Sequence, residues 1–303
     1  MNVIKISVFT PTYNRVNILP NLYRSMLQQS FTDFEWIIVD DGSSDGTEEL
    51  IKRWENERKI NIRKIVQSNS GKHVAQNRAL EIAKGELFLP LDSDDTIIPN
   101  ALEDIWDIWE GIPKIKRNKI CGLGVHCMNS DGEIIGDLWP FDYFESNDLD
   151  IYFKYKVRGE KWGPIRTDIL KKFPNEEVKG HYLAENTVWF RIAKEYNKIY
   201  VNKAYRIYEI QNDSVQGGST VKYASNPYSK IASSLIYINE FWVWYKKYNK
   251  KAGIEKVLIA IKASLTLGEN MIFGRDALIK KVDPFAAKII VLLCVPLKVM
   301  YKI

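Results

Sequence analysis

Short apolar runs alternate with longer amphipathic stretches along the first hundred residues. Ile4 to Thr10 reads as a strand closed by Pro11, and Val16 to Gln29 places Ile18, Leu22 and Met26 at steps of four, a helical spacing. Phe34 to Val39 is a second apolar run, followed by a helical stretch from Glu48 to Arg58 that carries Leu50, Ile51 and Trp54. Ile62 to Val66 is a third strand, Lys72 to Lys84 a third helix that Gly85 would cap, and Leu87 to Leu91 a fourth strand. Strand and helix in strict alternation predict right-handed crossovers and a mostly parallel sheet. The fold class is therefore α/β, Rossmann-like, with helices on both faces of the sheet.

Beyond Pro99 the pattern loosens. Ala101 to Glu110 is a helix with Leu102, Ile105, Trp106 and Trp109 on one side. Ile120 to Met128 and Glu133 to Leu138 read as a hairpin through Ser130-Asp131-Gly132, and Trp139 to Lys156 is aromatic-rich without a clear period. Gly163 to Arg166 is a short strand and Ala184 to Tyr196 a helix, with strands near Ile199–Val201 and Tyr205–Ile210. These elements predict a smaller mixed sheet with helices. After a polar break from Gln211 to Ser219, a helical tail begins near Pro227, with Trp242, Trp244 and Tyr245 as its anchors. Three segments follow, 1–98, 99–220 and a helical extension over 221–303.

In parallel sheets, ligands bind outside the carboxyl ends of the strands. The polar loops fall there: Pro11 to Arg15, Asp40 to Gly46, Asn69 to His73, and Asp92 to Asp95. The last of these follows Leu87-Phe88-Leu89 and sets three carboxylates within four positions, an arrangement that needs a positive neighbour. On an extended chain Asp92 and Asp94 would point the same way, suited to a hard divalent cation that carries phosphates on its other side. The plainer alternative is a solvated acidic turn that caps the next helix.

Composition narrows the classes. Of 303 residues, 46% are hydrophobic and 27% charged, as in ordinary folded proteins. A net charge of +5 is too mild to argue for nucleic acid but permits phosphate-bearing ligands or an anionic membrane. Three cysteines, Cys121, Cys127 and Cys294, are too few for a disulfide framework and point to a reducing compartment. No secretory signal opens the chain. The apolar run from Ile289 to Leu297 is short of the roughly 20 residues that cross a bilayer. With Lys280, Lys281, Lys288, Lys298 and Lys302 around it, it fits a helix lying on an anionic surface, or one docked on the chain's own core or in a homodimer.

Several chemistries are disfavoured. The first strand leads into Pro11-Thr12-Tyr13-Asn14, without the glycines of a nicotinamide site. Ser70-Gly71-Lys72 lacks the upstream glycine and following Ser or Thr of a P-loop. His73, His126 and His181 lack zinc-ligand spacing, the cysteines read as ordinary thiols, and Gly122 and Gly124 read as packing positions.

Four stretches carry a specific resemblance: Ser7 to Arg15, Phe34 to Ser43, Asn77-Arg78-Ala79-Leu80 with Gly85-Glu86, and Asp92-Ser93-Asp94-Asp95. Together they resemble the family 2 glycosyltransferases over about residues 4–210, with a bacterial polysaccharide or O-antigen transferase as the implied setting. The resemblance implies a GT-A fold, a nucleotide-sugar donor (UDP-linked favoured), Mn²⁺ or Mg²⁺, and inversion at the anomeric carbon. It also implies that 1–98 is a nucleotide-binding half and 99–220 an acceptor and catalytic-base half. By it, Pro11 and Tyr13 line the nucleotide pocket, Asp41 meets the base edge with Asp40 supporting the strand end, and Lys72 approaches base or diphosphate. Asp92 faces the ribose, and Asp94, helped by Asp95, holds the ion. The family's Glu-Asp pair before an aromatic helix reads here as Glu185-Asn186, which leaves Glu185 as the candidate base. Trp162, Arg166 and His181 are candidates for the sugar or acceptor pocket, and Trp139 to Phe144 for an acceptor-side lid. The implied acceptor is a glycan or polyprenyl-diphosphate-linked saccharide, met in the cytoplasm or at the cytoplasmic face of the inner membrane. Two other readings stay open: nucleotidyl transfer to sugar phosphates, and a non-catalytic subunit that binds nucleotide sugars. The first lacks a triphosphate loop, and Asn186 keeps the second alive. Processive synthesis lacks both a membrane channel and a Gln-x-x-Arg-Trp motif.

Overall fold

The computed structural model describes residues 4–177, 185–208, 226–266, 283, 285 and 288. The chain divides into two compact units, Met1–Glu177 with Val188–Asp213, and Val178–Thr187 with Ser214–Ile303.

In the first unit, β1 (Ile6–Thr12), α1 (Leu19–Leu27), β2 (Phe34–Asp40), α2 (Thr47–Glu57), β3 (Ile62–Val66), α3 (Lys72–Ile82) and β4 (Leu87–Pro90) follow the predicted alternation. β1 pairs in parallel with both β2 and β4, and β2 with β3. Pro11 does not close β1 but lies within it, opposite Val39. Phe9 accepts from Leu91 on the β4 side, so Pro11, two residues on, faces that side where β4 has ended, and its missing N–H leaves no gap in the ladder. Gly85 is not the cap of α3, which ends at Ala83 in an extended conformation. A side chain there would lie 2.4 Å from the Ser7 backbone nitrogen, so glycine allows a close backbone approach.

After β5 (Thr96–Ile97), α4 (Ala101–Glu110) and α5 (Lys114–Arg117) come β6 (Ile120–Met128), β7 (Tyr143–Ser146), α6 (Asp148–Phe153), β8 (Lys161–Trp162), β9 (Ile165–Arg166), α7 (Thr167–Leu170), α8 (Asn186–Ile192) and β10 (Asn197–Ile207). These strands do not form a separate small sheet. β9 bridges β4 and β6, giving one sheet in the order β3-β2-β1-β4-β9-β6-β10-β5 among the described residues. The predicted hairpin after Met128 reduces to a single bridge, Met128 with Ile134, because Asn129 folds the chain into a tight turn by accepting from the backbone of Asp131 and Glu133. Gly122 and Gly124 are packing positions, as expected: a Cβ would lie 2.0 Å from the Pro164 carbonyl and 2.4 Å from the Tyr200 ring.

Alternation along the strands separates two cores. Ile6 and Val8 of β1 face Leu22, Trp36, Trp54 and Leu102, while Phe9 belongs with Ile37, Ala75, Ala79, Phe88 and Ile192. In the second unit, the described residues form two helices, α9 (Pro227–Tyr248) and α10 (Lys250–Thr266), the first beginning at the expected Pro227. Asn249 alone joins them, and Gly253 of α10 packs on Trp242 and Tyr245 of α9.

Candidate active site

The carboxyl ends of β1 and β2 are stitched together by their loops. Asn14, at a φ of +52°, donates its backbone N–H to Ser43 Oγ at 2.9 Å and accepts from Ser44 N at 2.8 Å through its carboxamide. Asp45 accepts from the Val16 backbone and Thr47 Oγ1 from the Arg15 backbone, each at 3.0 Å. Burial works against the charge on Asp45, but hydrogen bonds from Thr47 and Val16 outweigh it and hold its carboxyl below the usual range. Tyr13 is left 45% exposed on the surface of this loop, with Pro11 partly buried beside it in sequence.

Asp40 and Asp41 have different duties. Asp40 is fully buried; its Oδ1 accepts from the Ser43 backbone at 2.9 Å and hydroxyl at 2.5 Å, while its Oδ2 has no hydrogen-bond partner among the described residues. That geometry suits the support of a strand end. Asp41 holds the loop after β3: its carboxylate accepts from Gln67 Nε2 and Ser70 N at 2.7 Å and from Gly71 N at 2.9 Å. Three of roughly four lone-pair sites are thus in use.

The acidic segment is a turn, not an extended strand end. Asp95 N donates to the Asp92 carbonyl at 3.2 Å, which sends the three carboxylates in different directions. Asp92 and Asp94 each keep about a third of their side-chain surface exposed. Lys72 Nζ lies 2.7 Å from Asp92, and Arg15 reaches Asp94 at 3.9 Å. Burial opposes ionisation of Asp92, but Lys72, Arg206 and Arg15 overcome it and hold its carboxyl below the ordinary range. Lys72 opens α3, where the helix dipole disfavours a cation, so the lysine is placed for a negative partner rather than for helix stability.

Asp95 turns inward and is 2% exposed. Its Oδ2 faces Arg206 Nε at 3.2 Å without hydrogen-bond geometry, and Arg206, itself buried, also pairs with Glu160 at 2.7 Å. Burial pushes the Asp95 carboxyl up to about 7; Arg206 opposes that rise, and Asp92, Asp94 and Glu160 add to it. The expectation that Asp95 helps Asp94 hold an ion therefore meets a carboxylate engaged elsewhere, as the fixed root of the turn. Sequence reading missed Arg206 and Glu160. An arginine inside the apolar strand Ala204-Tyr205-Arg206-Ile207 needs a buried partner, and that was the available signal.

The other candidates are taken up by the fold in different ways. Trp162 joins the first core and donates to the Pro90 carbonyl, so it packs rather than presenting a face to sugar. Arg166 pairs with Asp168 and donates to the Arg117 carbonyl, lining a cleft of about 460 Å³ with Gly85 and Glu86 near the amino end of β4. Trp139 is buried against His126 and Tyr200, its indole donating to the Val201 carbonyl, and so is no lid, although Phe141 and Tyr143 nearby are exposed. Cys121 and Cys127 are buried free thiols pushed up to about 12 by desolvation. His181, Cys294 and the apolar run 289–297 lie outside the described residues. Glu185 is partly buried and precedes α8; it belongs to the second unit, where Asn186 accepts a hydrogen bond from the Tyr237 hydroxyl.

The family model for glycosyl transferase family 2 matches residues 7–173, more than half of the chain. The chain belongs to that family. Among curated relatives, a GalNAc(5)-diNAcBac-PP-undecaprenol beta-1,3-glucosyltransferase from Campylobacter jejuni is 28% identical over 223 residues, 71% of this chain and 68% of that protein. The poly(ribitol-phosphate) beta-N-acetylglucosaminyltransferase TarS from Staphylococcus aureus is 35% identical over 177 residues, 52% of this chain but 30% of TarS. A TarS 1-349 structure in complex with UDP-GlcNAc superposes with a TM-score of 0.59 at 23% identity, covering 92% of this chain and 82% of that one. The chain spans half of the longer TarS structure. The mannosyltransferase PcManGT from Pyrobaculum calidifontis, solved with GDP-Man and Mn²⁺, gives a TM-score of 0.52 at 15% identity and covers 98% of this chain and 81% of that one. These likenesses make the chain a transferase with the GT-A fold.

Proposed function

We propose that this glycosyltransferase moves a single sugar from a UDP-sugar to a hydroxyl of a glycan or lipid-linked saccharide, with inversion and with a divalent cation at Asp94. The observation that carries the reading is the acidic turn at the end of β4, whose two outward carboxylates are matched by Lys72 and Arg15. Tyr13 offers an exposed ring for the base, and the remaining lone pair of Asp41 suits a single ring N–H such as that of uracil. TarS and the Campylobacter jejuni relative are named as making β-linked products, and an α-linked sugar nucleotide gives a β-linked product by inversion. The lipid-linked acceptor in the second name supports a similar acceptor here, met at the cytoplasmic face of a membrane.

Among the described residues there is no cluster of three or more His, Cys, Asp or Glu side chains that would cage an ion. The donor set nevertheless fits Mn²⁺ or Mg²⁺, which bind through one or two carboxylates and take their other ligands from phosphates and water. Asp94, exposed at the rim, would hold the ion. Once bound, it would offset charge that grows on the departing diphosphate. Lys72 and Arg15 can leave their carboxylates for the phosphates. The acceptor oxygen bonds to the anomeric carbon as the bond to the diphosphate breaks, and Glu185 takes the hydroxyl proton.

A donor panel assayed with Mn²⁺, comprising UDP-glucose, UDP-galactose, their N-acetyl forms and GDP-mannose, tests this by released nucleoside diphosphate. Turnover is expected with a UDP-sugar; turnover with GDP-mannose alone overturns the base assignment. Glu185→Gln should retain donor binding and lose about 10²–10⁴-fold in transfer. Unchanged transfer would remove Glu185 as base. Asn186 favours a second reading, a donor-binding subunit without turnover, which the same panel separates by donor binding without product.

A further inference from the structure

The hairpin of α9 and α10 carries a surface that the transfer reaction does not use. Four lysines fall within six residues around its turn, Lys246, Lys247, Lys250 and Lys251, all exposed. Among the described residues none of the four forms an ion pair; Lys247 lies 4.8 Å above the ring of Tyr248. The turn itself is tightly built. Asn249 donates to the Tyr245 carbonyl and accepts from Ala252 N at 3.1 Å, and α10 folds back so that Lys256 lies over Tyr237.

Large apolar side chains flank the lysines on both helices. Val243 is 68% exposed, and Ile254, Leu258 and Ile259 are 40%, 44% and 38% exposed. Spacing by four aligns Val243 with Lys247 on α9, and Lys250 with Ile254 and Leu258 on α10. Each helix therefore presents apolar and cationic side chains on one stripe, where an exposed helix face ordinarily carries polar groups alone.

We propose that this hairpin tip docks on an anionic lipid surface, its lysines meeting headgroups and Val243, Ile254 and Leu258 entering the boundary with the acyl chains. Clustered lysines gain from the negative surface potential, and exposed aliphatic groups gain by leaving water. The charge pattern selects this occupant. A second copy of the chain would bring two lysine clusters together. A nucleic acid would satisfy the lysines and leave the aliphatic stripe in water. The site is built from other residues than 284–303, the segment for which the sequence first raised membrane contact, and it does not depend on the donor, acceptor or metal.

Flotation of the full-length protein tests it, with phosphatidylethanolamine–phosphatidylglycerol vesicles against vesicles of phosphatidylcholine alone. The protein should float with the anionic vesicles only, and less as salt rises. Changing Lys246, Lys247, Lys250 and Lys251 together to Gln should weaken partition at least about tenfold. Ile254→Ser with Leu258→Ser should weaken it independently at fixed salt, with the melting temperature unchanged in both variants. Equal flotation of the lysine variant and the wild type overturns the proposal. So does loss of flotation on deleting 284–303 while the lysine variant still floats. Lysine-dependent capture of duplex DNA that ignores the Ile254 and Leu258 changes would assign the surface to nucleic acid instead.

Discussion

Two groups of charges meet at the acidic turn, and they are built to opposite ends. The outer one pairs Asp92 with Lys72 and Asp94 with Arg15, with side chains that keep roughly a quarter to a third of their surface in contact with solvent. The inner one sets Asp95 against Arg206 and Glu160, with Asp95 and Arg206 almost fully enclosed. Exposed pairs are weak and exchange readily, whereas removing one member of an enclosed pair strands the other. The same four-residue stretch thus presents carboxylates that can change partners and one that cannot. A transferase needs both: groups free to meet a ligand, and a root that keeps them in place.

This contrast can be broken from the outside inward. Asp94→Ala should lower metal-dependent turnover by about 10² or more while leaving the melting temperature near that of the wild type. Comparable loss of stability would show that the outer pair is structural. Arg206→Ala should do the reverse first, costing about 3–5 kcal/mol of unfolding free energy in denaturant titration, because Asp95 and Glu160 lose their shared cation. A cost below about 1 kcal/mol would mean that the enclosed charges are not held as a unit. The smallest effect is with pH. Asp95 keeps its proton in the folded protein up to about 7, while the unfolded chain releases it near the ordinary carboxylate value. Between those values the unfolded state binds fewer protons, so this residue makes stability fall as pH rises through the window. Unfolding free energies measured across it should slope down more steeply in the wild type than in Asp95→Asn; equal slopes would place the titration elsewhere.

How much of this was legible beforehand follows the range of the interactions. β1 to β4 were legible as strands because the helices that separate them have local spacing, and the rim loops sit where parallel strands place them. Whether Asp92 to Asp95 is extended or a turn stayed open in the sequence, because a hydrogen bond from Asp95 to the Asp92 carbonyl marks the turn and no side-chain pattern announces it. Arg206 in an apolar strand signals a buried partner but not which one, since its partners are 46 and 111 positions away in the chain. β8 and β9, two residues each, carry no periodicity, yet β9 joins the four parallel strands to β6 in one sheet. Trp162 and Trp139 misled for a different reason. A tryptophan that stacks on sugar and one that fills a core have the same letter and similar neighbours.

That bridging by β9 constrains how the protein can be engineered. A donor-binding fragment ended after residue 98 would expose the edge of β4 that Ile165 and Arg166 now pair with, together with the apolar surface around Phe88. Swapping donor specificity with a relative is therefore better attempted by exchanging rim loops on an intact sheet than by joining halves at that seam.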